Sequence, residues 1–145
     1  MPFRFPLAAV LMVRENAEQR EERALKKIQL ELAQLNRQLE ELNVQIAKAH
    51  DAREQSMREP IPAFQLQAYL TQLEQAAEKK KILLHHLQNL RFELDRQMKV
   101  YQACHRDREA LSNMFEKQRE AYDQEQTREQ QKQLDDMFMS RRHRK

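Results

Sequence analysis

Leucine and isoleucine recur at alternating three- and four-residue steps through two stretches of this chain, with polar residues between them. The first stripe is Leu25, Ile28, Leu32, Leu35, Leu39, Leu42, Ile46 and Ala49. The second is Leu66, Tyr69, Leu73, Ala76, Leu83, Leu87, Leu90, Leu94, Tyr101, Cys104, Leu111, Phe115 and Tyr122. A heptad repeat places each stripe on one helix face and predicts two long helices that wind left-handed around each other. A single helix with one such stripe is marginal in water, so pairing has to supply the stability.

Prolines divide the pattern. Pro2 and Pro6 precede the first stripe, where a missing N–H is tolerated at a helix start. Pro60 and Pro62 lie between the stripes and push Glu59 and Ile61 out of the α region. The prediction is an all-α fold: a long antiparallel two-helix coiled-coil hairpin with a C-terminal helical overhang. Residues 1–145 form one coiled-coil domain in this reading, with helix one at about 6–58 and an elbow at about 59–62. Helix two occupies about 63–140, and a basic tail 141–145. Counting outward from the elbow sets Leu42 opposite Ala76, Leu35 opposite Leu83, Ile28 opposite Leu90, Leu25 opposite Leu94 and Leu7 opposite Leu111. Polar positions match too: Glu21 falls opposite Gln97, Arg14 near Cys104, and Lys80 near Gln38. Polar seam residues of this kind cost stability and fix register. The second arm is the longer, so residues from about Phe115 to Met139 overhang unless Phe3 and Phe5 fold back onto them. The elbow end, with Phe64, Leu66, Tyr69 and Leu70, carries more apolar surface than one partner helix covers and is a candidate recognition surface.

Composition removes most chemistry. The 145 residues contain no glycine, which phosphate-cradling loops, dinucleotide fingerprints and nucleophile elbows require. Aromatic residues are 6% and charged residues 34% of the chain, which suits a coiled coil better than a broad globular core. Basic and acidic residues nearly cancel, at 26 and 23, so the chain is not built to neutralise a nucleic-acid backbone, and no direct nucleic-acid partner is expected. The single cysteine, Cys104, fits a reducing compartment. The apolar run Leu7–Val13 is short for a signal sequence and leads into Arg14 and Glu15 without a cleavage site. Nothing approaches the ~20 apolar residues of a membrane span, and a cytoplasmic location is expected.

The reactive side chains form no constellation. His85 and His86 are adjacent and point to different helix faces, as do Cys104 and His105, so no metal site is expected. Carboxylates on two helices lack the concave pocket that shifts a pKa toward catalysis. No catalytic residue, cofactor or enzymatic activity is predicted. The basic run Arg141–Lys145 reads as a solvated helix end whose cations complement the macrodipole.

Both ends of the chain resemble one family. The opening run from Phe3 to Glu15, followed by Glu18-Gln19-Arg20-Glu21-Glu22-Arg23-Ala24-Leu25, is similar to the start of the flagellar export protein FliJ family. The closing run Arg128-Glu129-Gln130-Gln131-Lys132-Gln133-Leu134-Asp135-Asp136 resembles that family's C-terminal pattern, with Asp136 where the family has glutamate. The central interruption and the Tyr69-Leu70-Thr71-Gln72-Leu73-Glu74 segment also fit. The resemblance implies a stalk of the flagellar type III export apparatus, cytoplasmic and peripheral at the inner face of the membrane through that apparatus. It implies three partners: the hexameric export ATPase, the export gate membrane protein, and export chaperones. By carry-over, the gate contact falls at Leu39, Leu42, Ile46, Tyr69, Leu73 and Ala76, on the elbow half. The ATPase contact falls at the opposite end, at Arg14, Glu15, Arg128, Glu129, Asp135 and Asp136.

Three other readings stand beside it. A virulence secretion stalk would have the same shape. A homodimeric parallel coiled-coil scaffold would use the prolines as a kink. A basic helical nucleic-acid binder would depend on Arg141–Lys145 and lose affinity steeply with salt.

Overall fold

The computed structural model describes residues 2–143, so Arg144 and Lys145 of the expected basic tail lie outside the described residues. The fold is all-α: α1 runs Ala8–Met57 over 50 residues and α2 runs Ala63–His143 over 81. The break between them holds Pro60 and Pro62, where proline removes both the N–H and the helical freedom of the preceding residue. Among the described residues no backbone has positive φ, so the chain turns without the left-handed conformation that glycine would supply. The Pro62 carbonyl accepts from the N–H groups of Gln65 and Leu66 and closes the first turn of α2. Arg141, Arg142 and His143 form its last turn, inside the helix rather than in a separate tail. Cations there interact favourably with the C-terminal end of the macrodipole and extend the helix past the expected limit near 140.

The described residues group into two compact units, one of residues 1–20 with 101–145 and the other of residues 21–100. The 21–100 unit carries the leucine seam. Leu35, Leu39, Leu87 and Leu90 form its buried cluster, with Leu32 and Leu83 packed against it. Leu25 and Leu42 are buried as well. Full burial of each such side chain is worth about 1.5–3 kcal/mol. Leu66, Tyr69, Leu73, Ala76, Lys80 and Leu83 are half-buried at three- and four-residue steps, so the heptad stays in phase through the polar Lys80. The register counted from the elbow holds at Gln97, whose Nε2 donates to the Glu21 carbonyl at 3.1 Å and to its carboxylate at 2.6 Å. Both residues occupy seam positions, where an unpaired polar group would be costly.

The unit of residues 1–20 and 101–145 is joined differently. Pro2 to Pro6 run without helix, and rings on this segment pack on α2. Phe3 meets Phe115 at 5.5 Å and Tyr122 at 5.4 Å, and Phe5 meets Phe115 edge-on at 5.3 Å. Phe5 is buried. The uncovered part of α2 therefore does not begin near Phe115. An extended chain advances roughly twice as far per residue as a helix, so a few proline-stiffened residues carry the aromatic cover past Phe115 to Tyr122. Residues 127–143 are exposed throughout and form the helical overhang.

Candidate interaction surfaces

Between the aromatic segment and residue 20, charged residues share the seam with Leu7 and Leu11. Glu18 lies on the face that Leu11 occupies one heptad earlier, and Arg108 lies in step with Cys104 and Leu111. Arg108 donates from Nε to Glu18 Oε2 and from Nη2 to Oε1 at 3.2 Å, a two-pronged fork. His105 Nδ1 sits 3.0 Å from the same Oε1, and its Nε2 lies 3.5 Å from Glu109. The Tyr101 ring stacks on His105 at 6.0 Å. The Glu18 side chain is only 14% exposed. Its hydrogen bond to Arg108 holds the carboxyl below the usual carboxylate range; burial opposes that shift and His105 adds to it. The same bond raises the Arg108 guanidinium above its ordinary value. The group is a closed ion cluster with its polar atoms already partnered, which suits a seam lock.

Sequence periodicity in leucine passes over Glu18 and Arg108 because they are charged. The signal that finds them is their phase: both occupy heptad seam positions. Phe3 and Phe5 lie outside any helix and share no periodicity with the stripes.

The expected gate residues lie along the elbow half. Leu39 and Leu42 are buried in the leucine seam. Ile46, Tyr69, Leu73 and Ala76 are half-buried. Leu42, Ile46 and Ala76 meet along one shallow groove, with Gln45, Ala49, Gln72, Gln75 and Lys79. The Tyr69 hydroxyl is 3.2 Å from the Ser56 hydroxyl, which ties this tyrosine across the turn to α1. The apolar side chains most open to solvent near the elbow are others: Met57, Leu70 and Phe64, the last 73% exposed.

The expected ATPase residues fall into two separate groups. Arg14 pairs with Asp107 at 3.4 Å, and Glu15 beside it is exposed. Arg128 and Glu129 recur one heptad later as Asp135 and Asp136, all exposed on α2. Asp107 precedes Arg128 by 21 residues, or about 30 Å of helix, so one contact does not join the two groups.

Among the described residues no group of three or more His, Cys, Asp or Glu is placed to hold a metal ion. No helix there is long and apolar enough to cross a membrane. The arrangement offers helix faces and shallow grooves, the means of a protein that works by contact. The chain matches the family described as flagellar FliJ protein over residues 3–145, and it belongs to that family. Membership points to a component of the flagellar protein export apparatus. No curated protein and no solved structure matches it.

Proposed function

We propose that this chain is the coiled-coil stalk of the flagellar type III export apparatus, entering the hexameric export ATPase and promoting its assembly and turnover. Family membership across residues 3–145, in a chain that folds as a helical hairpin, carries this reading. A hairpin has no rotational symmetry about its long axis. Placed in the pore of a ring, it meets each subunit with different side chains. It then favours different nucleotide states in different subunits, through differential contacts with each state. The ATPase meets the chain at two separate places, the end bearing Arg14 and Glu15 and the exposed α2 charges Arg128, Glu129, Asp135 and Asp136. The elbow half meets the export gate along the groove of Leu42, Ile46 and Ala76, with Tyr69 and Leu73 beside it. Leu39 supports that face from within the seam. Empty export chaperones are further partners. The protein works in the cytoplasm, held at the inner face of the membrane through the apparatus.

The test is hydrolysis by the purified export ATPase across a titration of this chain. The expected result is a rise in rate together with a larger hexamer population. An unchanged rate and unchanged hexamer population at saturating chain contradict the reading. Gate binding is tested separately with Tyr69→Ala, which is expected to weaken it while helicity is nearly retained.

A further inference from the structure

We propose that the last turns of α2 attach the protein reversibly to an anionic lipid surface. Leu134, Met137 and Phe138 are 60%, 57% and 74% exposed, and every residue from 127 to 143 is open to solvent. At about 100° per residue, Leu134, Met137, Phe138 and Arg141 share an arc of about 100°. Asp135 and Asp136 lie more than about 100° from the middle of that arc, on the side that would face water. Arg142 lies on its flank, and Arg144 and Lys145 follow in the sequence.

The spacing argues for lipid over a protein groove. A helix seated in an apolar protein groove presents anchors at i, i+3, i+4 and i+7. Here the fourth anchor position is Arg141, and one turn before Leu134 the face is already polar, with Gln130 and Gln131. A guanidinium is costly in an apolar groove. At a bilayer it extends to the headgroup phosphates while its methylenes stay with the acyl chains. A short apolar face with clustered cations binds anionic interfaces weakly and reversibly, each cation contributing through the negative surface potential. This inference does not depend on the stalk reading, because it requires no ATPase or gate.

The experiment is cosedimentation of the full chain with large vesicles of phosphatidylcholine alone, or with one part in about three phosphatidylglycerol. Binding to the anionic vesicles at low salt, with little to the neutral ones, is expected. About 0.5 M salt, where the Debye length falls to a few ångströms, should remove it. Phe138→Asp is expected to weaken binding about tenfold or more, and Arg141→Gln and Arg142→Gln about fivefold each. Helicity is expected to stay unchanged in all three, since the side chains are exposed. Three results overturn the proposal: no binding to anionic vesicles, equal binding to neutral ones, or binding indifferent to Phe138→Asp. Self-association in solution that Phe138→Asp abolishes, with no lipid binding, assigns the face to a second copy and overturns it too.

Discussion

Arg108 holds Glu18 with a two-pronged fork on a carboxylate that is only 14% exposed. The pair joins α1 to α2 at heptad positions where leucine would ordinarily sit. A half-buried guanidinium left without its carboxylate loses charge-assisted hydrogen bonds and stays partly desolvated. Glu18→Ala is expected to cost about 1–2 kcal/mol. Arg108→Ala should cost a similar amount, and the double variant less than the sum, by about 1 kcal/mol. Thermal unfolding of the four proteins measures the coupling, and strict additivity would show that the fork contributes nothing of its own.

The same pair makes stability depend on pH in one direction. The Glu18 carboxyl is held below its ordinary range in the folded chain, first by Arg108. Its stabilisation is fully present above the unfolded carboxylate range and is lost as pH falls through the lowered folded value. Glu18→Gln cannot ionise. The stability gap between the native chain and Glu18→Gln is therefore expected to be steady near neutral pH and to close as pH falls below the ordinary glutamate range. A gap that widens on acidification would contradict the assignment.

Leu90 and Phe92 lie two residues apart on α2 and should respond in opposite ways. Leu90 is 4% exposed within the leucine cluster, and Phe92 is 62% exposed. Leu90→Ala is expected to destabilise by about 2–4 kcal/mol through lost transfer energy and a residual cavity. Phe92→Ala is expected to stay within about 0.5 kcal/mol. Denaturant unfolding followed by helicity reads both.

Phe5 is the buried residue that the heptad does not explain. Its ring and that of Phe3 close on Phe115 and Tyr122. Phe5→Ala is expected to cost the unit of residues 1–20 and 101–145 about 3 kcal/mol. The ring-current shifts of the Phe115 and Tyr122 protons should collapse toward free values, while the methyl resonances of Leu35 and Leu87 stay in place. Unmoved aromatic resonances would place the segment elsewhere.

How far the chain could be read beforehand follows from periodicity. Leu25 to Ile46 and Leu83 to Leu94 announce the seam because every contact there repeats with the heptad. The Glu21–Gln97 pairing was also legible, since two helices joined at Pro60 and Pro62 fix each other's register by counting. The fork at Glu18 was not, because a search for apolar repeats skips charged residues at seam positions. Arg14 shows the limit of counting: it was expected near Cys104 and pairs with Asp107, one helical turn along, where its long side chain reaches a carboxylate. The segment of Phe3 and Phe5 has no helical phase, so its docking on α2 depends on where an extended chain happens to reach. Partner contacts such as those assigned to Asp135 or Tyr69 are illegible from spacing for another reason: they depend on the shape of a second molecule.

The doubling back of the chain is tested most directly by crosslinking Glu21→Cys to Gln97→Cys in a Cys104→Ser background, at low protein concentration, with a short thiol-reactive linker. Folding back brings these positions within hydrogen-bonding reach in one chain. The expected product is an internally linked monomer, formed rapidly by the folded chain and far more slowly when the chain is unfolded before the linker is added. A covalent dimer as the main product, with no internal link, would mean that the two helices pair between chains.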